Sequence, residues 1–493
     1  MMGQEDLPQG KLFYYQISLE QRIRKNHPLR RLKELIDFEF VYKEVREKYG
    51  IQGNVSVPPP VILKLMVLLV FYNVRSEREL METVPERLDW LWFLGYDFDS
   101  EIPNHSVLSK ARCRWGEEVF RSFFERVVLQ CVESGLVEGS KIFMDSSLID
   151  ADASNNSVVD THSLKRHLKK SYKELENRLE DREAGEEKVQ DRREVNRRYI
   201  STTDPDAAIV RRGKGKLRYQ THRAVDSGKE IITATEVTPG DVNEAQRMTS
   251  LMDRHQENTG IKAETVVADS KYGTIKNYLS CYDRGVKAHL PDLNKHLDSK
   301  GSRNGIFSDK AFTYERETDT YLCPSGKSLK RKTLHKERQS VDYSGSSKEC
   351  ISCELKPQCT RSKAGRTIKR HLRQDELDQM RALSKTPLSK QDIKTRQHLM
   401  ERSFARAKQY GFDRARWRNL WRISIQEYLT AAIQNIQVLI IHGKNPIKST
   451  AMEMAQVKSG NNLVYRSVQF TNHIARFTFL RKIDIRTYFL ATT

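Results

Sequence analysis

Two acidic residues stand at corresponding places in two strand-like segments of the sequence. In KIFMDSSLID, residues 141–150, the apolar run IFM leads directly into Asp145, and in ETVVADSKYGT, residues 264–274, the run VVA leads into Asp269. An aspartate after a short strand commonly caps the next turn. Ligand sites in α/β sheets also gather at strand ends, so neighbouring strands would bring these two carboxylates to the same edge.

A pair of carboxylates at close range repels unless a cation lies between them. Mg²⁺ takes a few carboxylate ligands, and two such ions about 3.5–4 Å apart can activate an attacking oxygen and stabilise a leaving oxygen in phosphodiester chemistry. A third acid is available in Glu401, within the helix-forming stretch 399–419, and Lys408 follows on nearly the same helix face. A Glu–Lys pair is also routine on a solvated helix surface. The sequence therefore predicts a site for two Mg²⁺ (or Mn²⁺) ions held by Asp145, Asp269 and Glu401.

Four of the seven cysteines fall within one basic stretch: Cys323, Cys350, Cys353 and Cys359. Their odd total, in a chain without an export signal, makes a disulfide framework unexpected. The C-x-x-C pair of Cys350 and Cys353 is the usual half of a tetrahedral zinc site, because two thiolates on a tight turn converge on one point. The other spacings do not form a second such pair. We predict one structural Zn²⁺ on the four cysteines, with reduced, non-ligating thiols as the alternative.

The composition is that of a basic protein with a charged surface. The net charge is +20, hydrophobic residues make up 38% and charged residues 30%. An excess of this size indicates a polyanionic partner, most simply double-stranded DNA, with a merely basic surface as the alternative. No apolar run reaches the roughly 18 residues that a membrane span needs, and the N-terminus lacks a signal-peptide pattern. We therefore expect a cytoplasmic protein with no membrane partner.

The pattern of elements divides the sequence into five parts. Residues 1–139 are expected to form a helical DNA-binding domain, because short amphipathic segments with Arg and Lys are joined by polar turns. From 140 to 300 the order is strand, strand, strand, helix, strand, helix, strand, which favours a mixed α/β sheet. Residues 301–390 form a basic Cys-rich insertion, residues 391–445 a helical second part of the core, and residues 446–493 a tail of unknown role.

Two further stretches have distinct patterns. The highly charged residues 164–199 are expected to form an exposed helix or a mobile linker. Residues 425–440 carry apolar side chains at helical spacing, which predicts a helix with one side facing the core and an end at Gly443.

The ordered motifs resemble those of the DDE transposases of bacterial insertion sequences. The matching stretches are FMDSSLIDADAS, KLRYQTHRAVD, TEVTPGDVNEA, VVADSKYGT and RQHLMERSFARAKQYG, with FYYQISLEQRIRKNHPLRRL, RSEREL and IPNHSVLSKAR in the N-terminal part. The resemblance covers most of residues 13–443. It implies an RNase H-like α/β fold for residues 140–300 and 391–445, beside an all-α N-terminal domain and a small Cys-rich insertion subdomain.

The same resemblance implies roles for single residues. Asp145 would be the first acid, Asp269 the second, and Glu401 the third, followed by Lys408 after seven residues and preceded by Arg396. In several related groups an arginine lies four residues before the glutamate and a tyrosine precedes it. Here that position is a glutamine and the arginine lies five residues before the glutamate.

These patterns together predict a DNA transposase that binds the ends of an insertion sequence, cleaves the DNA and joins the 3′-OH to target DNA. Lys408 and Arg396 would contact phosphates, and Trp417 and Trp421, interleaved with arginines, would stack on an unpaired base, with ordinary packing as the alternative. The partners would be terminal inverted repeats and target DNA in the nucleoid of a bacterial cell, bound by a homodimer that holds two ends. An RNase H-like nuclease without strand transfer, or a non-catalytic zinc-containing DNA-binding regulator, are the other open functions.

Overall fold

The structure is a computed structural model that describes residues 18–50, 54–160, 199–210, 215–292 and 305–443. The charged stretch 164–199, apart from its last residue, and the tail 446–493 lie outside these ranges, so the predictions made for them stay predictions. The chain divides into two compact units. The first contains the chain up to residue 137 together with 409–412 and the part from 421 onward, and the second contains 138–408 and 413–420.

The described helices, in chain order, are α1 (Leu19–Arg22), α2 (Pro28–Leu35), α3 (Phe40–Val45), α4 (Pro59–Phe71), α5 (Glu77–Thr83), α6 (Leu88–Leu94), α7 (Ser106–Trp115), α8 (Glu118–Glu133), α9 (Met248–Thr259), α10 (Ile275–Arg284), α11 (Ser347–Ile351), α12 (Lys356–Cys359), α13 (Gln374–Leu383), α14 (Pro387–Gln409) and α15 (Leu420–His442). The strands are β1 (Lys141–Asp150), β2 (Val158–Asp160), β3 (Tyr199–Ser201), β4 (Ala208–Val210), β5 (Lys216–Asp226), β6 (Ile232–Pro239), β7 (Thr265–Val267), β8 (Lys287–His289), β9 (Thr313–Glu315), β10 (Thr320–Leu322), β11 (Ser328–His335), β12 (Ser340–Ser344) and β13 (Thr367–His371). The molecule is thus a mixed α/β protein with a helical N-terminal region.

The first unit is built around two apolar helices. Helix α4 begins at Pro59, where a missing N–H costs nothing, and nearly all of its residues are buried. Helix α15 was predicted to turn one apolar side to the core, but every residue from Ile423 to Ile436 is buried. A helix buried on all sides needs no amphipathic stripe. Its Tyr428 packs against Phe124 of α8, with ring centroids 6.0 Å apart.

The second unit contains a six-stranded sheet with the order β4-β5-β1-β7-β8, in which β6 also pairs with β5. Strand β5 is antiparallel to β1 and to β6, whereas β7 is parallel to β1 and to β8. The predicted order of three strands, helix, strand, helix, strand is confirmed in β1, β5, β6, α9, β7, α10 and β8. The short strands β2, β3 and β4 were not predicted.

Strand β1 does not end where the sequence pattern predicts. The apolar run was expected to stop at Asp145, but β1 continues through Asp145 to Asp150. It does so because β5 pairs with it along this whole length, from Ile142↔Asp226 to Asp150↔Arg218. The parallel ladder with β7 stops earlier, at Phe143↔Val267. Asp145 therefore lies beyond the end of one neighbouring strand and alongside the other.

One apolar cluster fixes the orientation of these strands. Ile142 and Met144 of β1 belong to it, together with Val266 and Ala268 and with residues of α9, α10 and α13. Side chains alternate between the two faces of a strand, so Asp145 points away from this cluster. Asp269, which follows Ala268, is offset in the same way.

Residues 305–373 form a separate antiparallel sheet within the second unit. Its strand order is β13-β12-β11-β10-β9. Its own small core contains Phe312, Tyr321, Leu329, Val341, Tyr343 and Ile368. The cysteines of the predicted insertion lie on or beside this sheet.

Candidate active site

Asp145 lies in β1 with a positive partner from α14. Its Oδ2 accepts a hydrogen bond of 2.7 Å from Nη1 of Arg396, and its Oδ1 accepts one of 2.8 Å from the Ser146 backbone N–H. Burial raises the pKa of Asp145, and this effect outweighs the stabilisation of the charge by Arg396. The nearby carboxylates of Asp269 and Glu244 raise the pKa further.

Asp269 lies level with Asp145. Phe143 pairs with Val267 at the end of the parallel ladder, and two residues further along each chain segment come Asp145 and Asp269, which are close enough to interact electrostatically. Asp269 also caps the turn Ser270–Tyr272, because its Oδ1 accepts from the Lys271 backbone N–H at 3.0 Å. Burial raises its pKa, and the charge of Glu244 adds to the effect. The structural role of a turn cap and the predicted role in a metal site therefore coexist in this residue.

Glu244 is a third carboxylate near Asp145 and Asp269, and it was not predicted from the sequence. It begins the short 3₁₀ turn Glu244–Arg247 after β6 and is 5% exposed. Its Oε2 accepts from the hydroxyl of Ser146 and, at 3.4 Å, from Nε2 of Gln220, while Oε1 pairs with Lys271. The available signal was its position in TEVTPGDVNEA, one of the motifs that carry the resemblance.

Tyr272 lies among the same charges. Its side chain is fully buried, and its hydroxyl has no hydrogen-bond partner within the described part of the chain. Burial raises its pKa well above the ordinary value, and the carboxylates of Glu244, Asp145 and Asp269 add to this. A buried hydroxyl without a partner is costly, and sites with such a group commonly bind a polar ligand.

The buried side of α14 faces the sheet through charged residues. Arg396 is 9% exposed and reaches Asp145. One turn earlier, Asp392 is held between Nζ of Lys141 at 2.9 Å and Nδ1 of His289 at 2.7 Å. These two ion pairs connect α14 to β1 and β8, and they were not predicted from the sequence.

Glu401 and Lys408 lie on another side of α14. Both are exposed, and Oε1 of Glu401 accepts a hydrogen bond of 3.2 Å from Nε2 of Gln397. At about 100° per residue, Glu401 is turned roughly 140° from Arg396, whereas Lys408 is turned only about 20° from Glu401. The structure therefore brings Asp145 and Asp269 together with Glu244 and Arg396, but it does not bring Glu401 to them.

The acidic group is balanced by side chains of the protein itself. Arg396 is bonded to Asp145 and Lys271 to Glu244, so two cations meet three carboxylates. Within the described ranges, no three His, Cys, Asp or Glu side chains are placed so that they could hold one metal ion. The donor chemistry nevertheless fits a hard divalent ion, which prefers carboxylate oxygens.

Two family models match the chain. The Transposase domain (DUF772) matches residues 17–114, and the Transposase DDE domain matches residues 322–440. The chain belongs to the DDE-type transposases of insertion sequences. No curated protein and no solved structure matches it. Members of this family act in DNA transposition, so DNA is the partner of this transposase.

The matched ranges divide the candidate residues of the transposase. Glu401 and Lys408 lie inside the DDE range, whereas Asp145, Asp269 and Glu244 lie outside both ranges. The assignment of the two aspartates to the site therefore depends on the geometry of the sheet, whereas the assignment of Glu401 depends on the family match. Among the described helices of the transposase, none has the length and apolar character to span a membrane.

Trp417 of the transposase lies beyond the end of the helix on which it was expected, and Trp421 lies at the start of the next helix. Helix α14 ends at Gln409, so Trp417 lies in the connection to α15 and Trp421 in the first turn of α15. Both are half-buried, and the guanidinium of Arg422 stacks on Trp421 with 4.8 Å to the ring centroid. Their role in stacking on a base stays a prediction.

The four clustered cysteines of the transposase line one cavity in the insertion: Cys323, Cys350, Cys353 and Cys359. The Lys327 backbone N–H donates to Sγ of Cys323 at 3.4 Å. A Cβ at Gly345 or Gly365 would lie only 3.0 or 3.1 Å from Sγ of Cys350, so glycine lets the backbone approach this thiol. All four are free thiols, and they do not form a closed ligand set in the described structure.

The raised pKa values of Asp145 and Asp269 predict that the stability of the transposase falls as the pH rises. A folded-state pKa raised above the unfolded value of about 3.9 means that the folded protein binds more protons over that interval. Stability is then highest below the unfolded pKa and falls as pH rises through the folded pKa. Without divalent metal, we expect Asp269→Asn to be more stable than the wild type at pH 7, and this advantage should vanish near pH 4. Urea denaturation between pH 4 and 8 in EDTA measures it.

Asp150 provides the control of opposite sign. Burial alone would raise its pKa, but hydrogen bonds from Lys216 and Arg218 outweigh burial and lower it. Asp150→Asn should therefore lose stability at neutral pH and approach the wild type in acid. An Asp269→Asn protein less stable than the wild type at pH 7 would contradict the assignment of a raised pKa.

Proposed function

We propose that this transposase binds the ends of its element, cleaves the DNA there and joins the 3′-OH to target DNA by two-metal phosphodiester transfer. The observation that carries the proposal is the pair Asp145, in β1, and Asp269, two residues after the end of the parallel strand β7, with burial that disfavours the charge of both. Such carboxylates gain most when a dication is bound between them. Glu401 is the third acid in this proposal, supported by its place in the matched DDE range.

We also propose that residues 140–300 and 391–445 form an RNase H-like core. The supporting feature is the succession β6-β5-β1-β7-β8, in which the first three strands are antiparallel and β1, β7 and β8 are parallel. With α9 between β6 and β7, and α10 between β7 and β8, this is the order expected from the resemblance. Helix α14 then lies against the first strand through Arg396.

The acids would hold two divalent ions, Mg²⁺ or Mn²⁺. Such ions, when bound, activate the attacking oxygen and stabilise the leaving oxygen. Arg396 and Lys271 balance the acids in the structure, and they would have to release the carboxylates for a dication to bind. Glu401, on the exposed side of α14, would be the remaining acidic ligand. The protein otherwise acts by positioning and by charge.

The DNA contacts follow from the exposed side of α14 and from the basic charge of the chain. Lys408 shares that side with Glu401, where it can bind the phosphate next to the reacting one. Arg396, once released, is also available to a phosphate, and Trp417 and Trp421 are available to an unpaired base. With a net charge of +20, binding should weaken steeply with salt. Two element ends must be held together, so we propose a homodimer in the active complex.

The test uses purified transposase and DNA that carries the two ends of the element. We expect cleavage at the ends with Mg²⁺ and none in EDTA, and joining of pre-cut ends to a target plasmid. Glu401→Gln should abolish both reactions, because the third acid is lost, while the exposed position leaves thermal stability unchanged. Glu257→Gln, which removes an exposed glutamate from another helix, serves as the control and should retain both reactions.

The alternatives give different results in the same assay. Cleavage without joining of pre-cut ends would indicate a nuclease without strand transfer. Binding without cleavage under any metal condition would indicate a regulator. Full activity of Glu401→Gln would remove Glu401 from the site.

We propose a structural Zn²⁺ on the four cysteines of the insertion, supported by their common cavity and by the close backbone at Gly345 and Gly365. Four thiolates are the usual donor set of a structural zinc site. Elemental analysis of purified protein should find about one zinc per chain, and Cys353→Ser should reduce it. Zinc at background level would leave these residues as ordinary thiols.

A further inference from the structure

We propose that Glu244 is a further carboxylate ligand of the divalent metal site, beside Asp145 and Asp269. This inference rests on the proposed function, because it concerns the same site. It adds an acid that was not among the predicted site residues and that lies outside both matched family ranges. In the described structure these three side chains do not surround one ion, so they would have to move together on metal binding, and Glu401 would join only with DNA.

Glu244 contacts a residue near each of the two aspartates. One of its partners, Ser146, follows Asp145 directly, and another, Lys271, lies two residues after Asp269. The Glu244 charge raises the pKa of each of these aspartates. The turn after β6 thus places the Glu244 carboxylate close to Asp145 in β1 and to Asp269 after the end of β7.

The Glu244 carboxylate would be costly to bury alone. A buried charge needs a partner of opposite sign, and Glu244 is 5% exposed. Its ionic partner Lys271 is an exposed residue, so the lysine can leave without being stranded in the interior. A divalent ion can therefore replace Lys271 at Glu244, as it replaces Arg396 at Asp145.

Glu244 does not serve as the cap of its own turn. Asn243 caps the turn, since its side chain accepts from the Ala245 N–H at 3.0 Å, so Glu244 is not needed there. The buried Tyr272 hydroxyl, without a partner in the described ranges, lies within the field of all three carboxylates. A ligand bound to the acids gives that hydroxyl a polar neighbour.

Mn²⁺ binding to the DNA-free protein tests this proposal without an activity assay. Free Mn²⁺ is measured by electron paramagnetic resonance during a titration. We expect Glu244→Gln to weaken binding at least about tenfold, as Asp145→Asn and Asp269→Asn also should. Glu236→Gln is the matched control, because the Glu236 side chain is only 14% exposed and pairs with Arg247 at 3.2 Å, but lies outside the acidic group. It should bind Mn²⁺ like the wild type.

The Mn²⁺ affinities of the three variants distinguish a failure of the Glu244 proposal from a failure of the proposed metal site. If both aspartate variants weaken Mn²⁺ binding and Glu244→Gln does not, Glu244 is structural and the proposed function stands. If none of the three weakens binding, the metal site itself is wrong. Should Glu244→Gln fail to fold, the double variant Glu244→Gln/Lys271→Met, which removes both partners, is compared with Lys271→Met alone. Equal Mn²⁺ affinity of those two would overturn the proposal.

A change of ligand softness distinguishes direct coordination from an effect through neighbours. Glu244→Cys places a thiolate at the site, and a thiolate prefers Cd²⁺ to Mg²⁺. We expect this variant to gain one tight Cd²⁺ site, with a thiolate-to-cadmium absorption band, over the background of the native cysteines. Glu236→Cys supplies the same additional thiol elsewhere and should show no such gain. Identical Cd²⁺ titrations of the two variants would exclude coordination by residue 244.

Discussion

Asp145→Asn is expected to lower metal-dependent cleavage at the element ends, and joining of pre-cut ends, by about 10³-fold, while the protein stays folded. The substitution keeps the size of the side chain and removes only the charge on which ion binding depends. Folding should survive because burial already disfavours the ionised form of this residue. The measurement is a time course of nicked and joined DNA with Mg²⁺.

Asp150→Asn is the matched control for this loss of activity. It makes the same chemical change in the same strand, but Asp150 pairs with Lys216 and Arg218, away from the acidic group. Its activity should stay near that of the wild type at temperatures where both are folded. If Asp145→Asn cleaved as fast as this control, the first acid of the site would lie elsewhere.

The two aspartates could be predicted from the sequence because both of their determinants are local. An apolar run that stops at an acid is visible in a window of a few residues, and the parallel pairing of β1 with β7 then places Asp145 and Asp269 level. The end of β1 could not be predicted in this way. It depends on β5, a partner about seventy residues away along the chain, and the ladder with β5 extends the strand past its apolar part.

Glu244 and Glu401 show the opposite limits of sequence reasoning. Glu244 follows a turn motif and looks like any first-turn acid, and only the sheet brings it beside Ser146 and Lys271. Glu401 is visible in the sequence through its spacing to Lys408. The spacing between Arg396 and Glu401 places the two residues on different sides of α14. That Glu401 faces away from the aspartates follows only once Arg396 is known to bond to Asp145.

The boundaries of α14 illustrate the role of tertiary contacts. The sequence pattern predicted a helix over 399–419, but the helix starts at Pro387 and ends at Gln409. Gly411, with φ 73°, follows the end of the helix. Asp150 then bonds to the next segment through Asp413 O at 3.0 Å and Ala415 N at 2.8 Å. A contact with the end of β1 thus replaces two further helical turns, and it carries Trp417 off the helix.

Asp392→Ala should reduce the free energy of unfolding by about 3–5 kcal/mol, the largest loss of stability expected for any substitution considered so far. Asp392 is 6% exposed and accepts from both Lys141 and His289. Removing it leaves His289 and the partly buried Lys141 without their common anion. Urea denaturation at neutral pH measures the loss. Asp375→Ala is the control: its carboxylate is half exposed and pairs with Arg370 at 2.6 Å, so the loss should stay below about 1 kcal/mol.

The consequence for activity separates anchoring from simple destabilisation. Asp392 lies one turn before Arg396 on α14, so its loss frees the helix that carries Arg396, Glu401 and Lys408. At a temperature where Asp392→Ala is fully folded, we expect cleavage to be slower while Mn²⁺ affinity stays close to the wild-type value, because Asp145, Asp269 and Glu244 are held by the sheet. Wild-type cleavage rates in the folded variant would show that the position of α14 does not depend on this ion pair, and a loss of Mn²⁺ affinity would show that the acids themselves depend on it.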